Sequence, residues 1–191
     1  MRCLPSLLLL LPLLAGCASL SQEECISGDW SSVGANDAME GREASRLADH
    51  AKACAKYDIV PDKPLYEHGY QKGLGSYCTP TNGFSVGRNG YNYRHICPPA
   101  SEAEFMRGYL RGSSLHDIET EIAEAEHDLS RIQRERDILR ADKKASDKGK
   151  RLRQLSLDLD GLRWDLQRLR FKRDRALVEA DRFLQTMEPG I

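Results

Sequence analysis

The sequence predicts a mainly α protein: a small disulfide-braced helical module followed by a long antiparallel coiled-coil hairpin. Three observations carry this. Cys25, Cys54, Cys78 and Cys97 fall in the first half, beside short helix-like stretches. Apolar residues recur in alternating steps of three and four through residues 115–139 and again through 152–187. A polar, glycine-bearing stretch, residues 142–150, separates the two runs as a reversal would. The 191 residues carry 30% charged side chains but a net charge of only −1, without the Lys and Arg surplus that nucleic-acid binding needs. A mean hydropathy of −0.55 excludes a multispanning membrane protein.

Residues 1–16 read as a signal peptide. Arg2 precedes an apolar run, Leu4 to Leu14, shorter than the ~20 residues a membrane-spanning helix needs. It ends in Leu14-Ala15-Gly16-Cys17, which resembles the bacterial lipobox. That resemblance implies cleavage before Cys17 and acylation of Cys17 by palmitate-like chains, each buried methylene contributing ~0.8 kcal/mol to a membrane anchor. The alternative is an ordinary secretory signal with an incidental Cys17. Ala18, rather than Asp, follows Cys17; resemblance to Gram-negative lipoprotein sorting signals then implies the outer membrane, with the protein facing the periplasm.

Residues 17–100 form the expected module. The four remaining cysteines allow three pairings in an oxidising compartment. The expected one is Cys25–Cys54 with Cys78–Cys97, the second pair closing a stretch that contains Asn82-Gly83 and Asn89-Gly90. No Cys-x-x-Cys occurs, so zinc is not expected. One helix is expected over Asp37–Tyr57. Another, capped by Asp62 with Pro64 in its first turn, should run to Tyr77. A loop or short hairpin follows over 78–98, with Tyr91 and Tyr93 alternating as in a strand. Residues 66–73 (YEHGYQKG) and 105–112 (FMRGYLRG) echo each other and share Gly-x-x-x-Gly. Each glycine costs about 1 kcal/mol of helix propensity, so a close approach to another helix or to a ligand is implied.

Asp29-Trp30, Gly34, Asp37, Gly41-Arg42, His50, Cys54, Pro61-Asp62, Tyr66, Gly69, Gly73-Leu74, Tyr77-Cys78, Asn82-Gly83, Gly87, Gly90, Tyr93 and Cys97-Pro98 carry a family pattern. It resembles an uncharacterised bacterial lipoprotein family, domain of unknown function 2799, over roughly residues 25–112. Ala38 and Tyr70 depart from that pattern. The resemblance implies an envelope lipoprotein and assigns no chemistry.

Residues 101–191 form the expected hairpin, with helices at about 101–142 and 150–187. Ser101 to Glu104 has capping-box spacing, Gly112-Ser113-Ser114 is a kink signal, and Pro189 closes the second helix. One seam runs Leu115, Ile118, Ile122, Ala125, Leu129, Ile132, Arg136, Leu139. The other runs Leu152, Leu155, Leu159, Leu162, Leu166, Leu169, Arg173, Ala176, Ala180, Phe183, Met187. Pairing residues whose numbers total 291 matches seam with seam from Leu115–Ala176 to Leu139–Leu152. Flanking pairs are then expected between Glu119 and Arg170, and between Glu126 and Arg163. Arg136 and Arg173 should bury their stems and expose their heads, fixing register.

Leu157, Trp164, Phe171 and Val178 recur every seven residues opposite the second seam. Such a stripe faces water in a two-helix hairpin and marks a contact surface for a protein partner, for the protein's own module or for a second copy. No nucleophile elbow, phosphate loop or His-Glu-x-x-His is present, and His50 reads as a surface partner of Asp49. The expectation is a non-enzymatic envelope lipoprotein, without cofactor or nucleic-acid partner, acting through its coiled-coil arm. The alternative is a cell-wall glycan or peptide binder using Trp30, Tyr66, Tyr70, Tyr77, Tyr91 and Tyr93.

Overall fold

A computed structural model describes residues 19–142 and 148–187; the signal peptide, Cys17, most of the interhelical turn and Pro189 lie outside them. Among the described residues every regular element is helical. They are α1 (Gln22–Ser27), α2 (Trp30–Met39), a 3-10 turn (Ala44–Arg46), α3 (Leu47–Ala55), α4 (Lys63–Tyr77), α5 (Pro80–Arg88), α6 (Pro99–Ala141) and α7 (Lys148–Met187). Two units result. One ends at Ala38 and resumes over Arg42–Gly73; the other comprises Met39–Gly41 and the chain from Leu74 onward.

In the first unit, α1 opens with a capping box: Ser21 Oγ accepts from Glu24 N, and Glu24 accepts from Ser21 N. The backbone bond from Ser21 is the main reason the Glu24 carboxyl lies below its usual range. Cys25 bonds Cys54, tying α1 to α3. By the chain-entropy account, a loop of this size contributes about 3–4 kcal/mol. The helix expected over 37–57 is instead two. Gly41 has φ +70°, which L residues rarely adopt, and the chain reverses there before α3. Asp62 caps α4 as expected, accepting from Leu65 N at 3.0 Å.

Helices α2 and α4 touch backbone to backbone. A Cβ at Gly34 would overlap the Tyr66 carbonyl, one at Gly69 the Ser31 carbonyl, and one at Gly73 the Ala35 carbonyl. This contact between helices accounts for the Gly-x-x-x-Gly echo.

The second unit repeats the device. The stretch expected as a loop over 78–98 holds helix α5, capped by Thr79 Oγ1, which accepts from Asn82 N, with Pro80 in its first turn. Its glycines are turn-like in sequence, but a Cβ at Gly83 would overlap Phe105 O, and one at Gly87 Tyr109 O. On α6, Gly108 and Gly112 lie against Pro80 O and Phe84 O in the same way. Contact unavailable to any larger residue offsets the lost propensity. Tyr91 and Tyr93 form no strand. Cys78–Cys97 closes the connection to α6.

The two pairs correspond residue by residue. Ser31, Gly34, Ala35 and Gly41 recur 49 positions on as Pro80, Gly83, Phe84 and Gly90. Their counterparts Tyr66, Gly69, Gly73 and Tyr77 recur 39 positions on as Phe105, Gly108, Gly112 and His116. Even the trailing glycines match: Gly41 (φ +70°) lies against the Tyr77 ring and Gly90 (φ +72°) against the His116 ring. The first pair's connection is the longer one, and it carries α3.

The hairpin is α6 with α7. Ile122, Leu166 and Leu169 form its buried centre, with Ile118, Ala125 and Leu129 packed around them, in agreement with the 291 register. Leu155 and Leu159 are also fully buried. Three expectations are corrected here. Helix α6 starts at Pro99, and Ser101 donates to Pro98 O rather than capping. It passes through Gly112-Ser113-Ser114 as one helix, because Gly112 is a packing position against α5. The flanking pairs also differ: Arg88 of α5 takes Glu119 at 2.6 Å, so Arg170 reaches Glu126 at 2.7 Å and Arg163 turns to Asp160. Arg136 and Arg173 do keep partly exposed heads, each beside the next residue's carboxylate, Asp137 and Asp174. No described helix is long and apolar enough to cross a membrane.

Candidate functional site

Two features stand apart from packing: a buried polar cluster in the first unit and an exposed apolar stripe on α7. The cluster centres on Asp37, which α2 presents with 6% of its surface exposed. Its Oδ2 accepts from Tyr66 Oη at 2.7 Å and lies 2.7 Å from His50 Nε2. Arg46 Nε stands 3.2 Å from Oδ1, an ion-pair contact off-line for a hydrogen bond. His50 is therefore not a surface partner of Asp49. The turn at Gly41 brings α3 back and places its ring, 1% exposed, against the Asp37 carboxylate.

His50 Nδ1 lies 2.9 Å from Ser19 Oγ. With Nε2–H given to the carboxylate, a neutral ring leaves Nδ1 to accept the Ser19 hydroxyl. The series Ser19–His50–Asp37 has the residue types of an acyl-transfer relay but with the ring nitrogens exchanged, Nδ1 facing the hydroxyl and Nε2 the carboxylate. Here, however, the carboxylate is already shared with Tyr66 and Arg46, the ring is sealed, and the Ser21 N–H beside Ser19 is held by Glu24. The arrangement fastens the start of the described chain to α3. Burial, followed by the bond to Asp37, drives the Tyr66 phenol far above its ordinary range.

The aromatic residues expected as a glycan platform are mostly core. Trp30, Tyr66, Tyr70, Tyr77 and Tyr93 are buried, while Tyr91 is 67% exposed. Tyr77 and Tyr93 pack with Phe105 at centroid distances of 5.2 and 4.5 Å. Burial raises both phenols; at Tyr93 the N–H of Cys97 works against that rise and Glu102 adds to it. Of the other histidines, His116 and His127 line one groove along α6, and His95 lies 3.1 Å from Glu102 at the surface. No group of three or more metal-ligating side chains occurs among the described residues.

The stripe is where the sequence places it. Leu157, Trp164, Phe171 and Val178 are 67%, 73%, 65% and 51% exposed. Phe171 borders a groove between the arm helices that also includes Leu110, Ile118 and Arg175.

Residues 29–114 match the family described as protein of unknown function, DUF2799. The likeness to this family covers that stretch and not the hairpin arm. The match begins at Asp29, whose carboxylate accepts from Ser32 N at the start of α2, and ends one residue before the hairpin seam opens at Leu115. The matched stretch thus coincides with the two glycine-packed helix pairs and contains Asp37, His50 and Tyr66, while the α7 stripe lies outside it. No curated protein and no solved structure matches the chain.

Missed by sequence reasoning were Asp37 and Ser19 as partners of His50, and Arg46 and Tyr66 as partners of Asp37. One signal was available: Asp37 and His50 are both charged or polar positions within the family pattern, yet neither lies where a surface face requires it.

Proposed function

We propose that the protein is a bacterial envelope lipoprotein, anchored through acylated Cys17 and facing the periplasm from the outer membrane, whose coiled-coil arm is a non-catalytic interaction element. The observation that carries this reading is the α7 stripe. Trp164 and Phe171 keep most of their surface in water on a helix whose opposite face is already packed. Single exposed apolar residues are ordinary; four in one line over three heptads are not. The lipobox-like Leu14-Ala15-Gly16-Cys17 supports the anchor. Cys17 precedes Ser19 by two residues, a span of at most about 7 Å, and His50 holds Ser19. Acylation would therefore set the family-matched stretch against the bilayer surface, without a long tether. The glycan-binding alternative has Tyr91 as its exposed ring.

The test is crosslinking in the native envelope from a photoreactive residue at position 168, beside the stripe. Crosslinked products should form with the unaltered stripe and disappear in Trp164→Gln/Phe171→Gln, while the helical circular dichroism signal stays constant. Products that persist in the double variant would refute the role of the stripe.

A further inference from the structure

From residue 160 onward the charges flanking the stripe are sorted by side. Within three or four residues of the stripe positions, one flank holds Asp160, Asp174 and Asp181, with Arg153 at its N-terminal end; the other holds Arg168, Arg175 and Arg182. All seven are exposed. A helix face with an apolar centre, an acidic edge and a basic edge can recognise a copy of itself, and the sorting dictates the direction.

In a parallel two-helix contact, the acidic edge of one helix meets the basic edge of the other. In register, Asp174 then lies beside the second copy's residue 175, an arginine, and Asp181 beside its residue 182, also an arginine, each twice by symmetry. In an antiparallel contact like edges meet. Aligning Leu157 with Val178 and Trp164 with Phe171 would set Asp160 against Asp174 and Arg168 against Arg168, with Arg153 opposite Asp181 at the ends as the favourable pair.

We infer that α7 pairs with α7 of a second copy of this chain, parallel and in register, along Leu157, Trp164, Phe171 and Val178. This rests on the reading of the arm as an interaction element and names its partner. Within one chain Asp160, Arg168 and Asp174 contact Arg163, Asp165 and Arg173, so pairing exchanges one exposed ion pair for another at those positions. The charges therefore set orientation, and the two large aromatic residues supply the association. A parallel pair also leaves both N-termini on the same side, as two chains anchored in one leaflet require.

The decisive experiment is sedimentation equilibrium of the full chain in detergent, with Asp174→Arg, Arg175→Asp and the double exchange. Both positions are exposed, and circular dichroism checks the fold. Each single change should raise the dimer dissociation constant about tenfold, and the double exchange should restore it. Trp164→Gln/Phe171→Gln should give a monomer. A monomeric unaltered chain overturns the inference. So does tighter association of Asp174→Arg, the sign an antiparallel pair would give. If the unaltered chain is monomeric yet position 168 still crosslinks to a different protein in a stripe-dependent way, pairing with a second copy fails while the interaction role stands. If that crosslink is absent too, both fail.

Discussion

At matching places the two helix pairs carry opposite chemistry. The first holds Asp37 and Tyr66, hydrogen-bonded to each other; 49 and 39 residues on, the second holds Val86 and Phe105. Both pairs close by the same glycine contacts, so a buried carboxylate is not something this architecture needs. Its presence in the first pair follows from the longer connection, which supplies Arg46 and His50 as partners. The second pair has the shorter connection, braced by Cys78–Cys97, and fills the corresponding space with stacked rings. Glycine contact is the common frame, and the connection decides what can be buried beside it.

Replacing the distinguishing residues should break the symmetry of that comparison most strongly. Asp37→Ala removes the shared partner of a buried histidine and a buried phenol, and should cost about 3–5 kcal/mol. Val86→Ala at the matching place should cost only about 1 kcal/mol. Urea unfolding of both variants checks this, and equal losses would show that the first pair does not depend on its polar cluster.

The shared frame predicts a matched pair of smaller losses. Gly69→Ala and Gly108→Ala each drive a methyl into a facing carbonyl, that of Ser31 or Pro80, and should each destabilise by about 2–3 kcal/mol. Gly161→Ala on the arm, with nothing within 4 Å of the new methyl, should instead stabilise by up to about 1 kcal/mol. Thermal melts of the three variants should separate them by sign.

The finest distinction is alkaline. Tyr66 has a folded pKa raised above its unfolded value near 10, as do Tyr77 and Tyr93. The native state therefore retains protons that the unfolded chain releases. The stabilisation is fully present below about pH 10 and falls as pH rises; for Tyr66, whose phenol is pushed furthest, the fall approaches about 1.4 kcal/mol per pH unit. Tyr66→Phe makes the first pair resemble the second. It should cost about 1–2 kcal/mol at pH 8 and reduce the slope measured between pH 10 and 11 by one tyrosine's share.

Much of this was legible in the sequence, for physical reasons. A heptad seam is periodic, so Leu115–Leu139 and Leu152–Met187 disclose their pairing, and the stripe at Leu157–Val178 is visible as what the seam leaves over. The disulfides follow from order along the chain, and Cys25–Cys54 and Cys78–Cys97 are the pairs that form. Helix α5 was hidden because Asn82-Gly83, Gly87 and Gly90 have turn composition, and only the facing carbonyls of α6 reveal why glycine is needed in a helix. The Asp37 cluster was hidden because its members lie on four separate segments, brought together by a reversal at Gly41 that no periodicity records. The likeness of α2 to α5 rests on Gly34/Gly83 and Gly41/Gly90 among otherwise different residues, too sparse to see without the contacts.

Because α6 is one unbroken helix, its root and its outer half share an axis. From Gly112 to Ala141 it extends about 43 Å at 1.5 Å per residue, while Phe105 to Gly112 is gripped by α5 with no side-chain layer between the backbones. The helix is a lever with a clamped short end. A sideways pull of about 5 Å at its tip turns the root by roughly 7° on that lever length. A joint of bare backbone has little cushion to absorb such a turn, so load applied far out on the arm is felt as torque at α5.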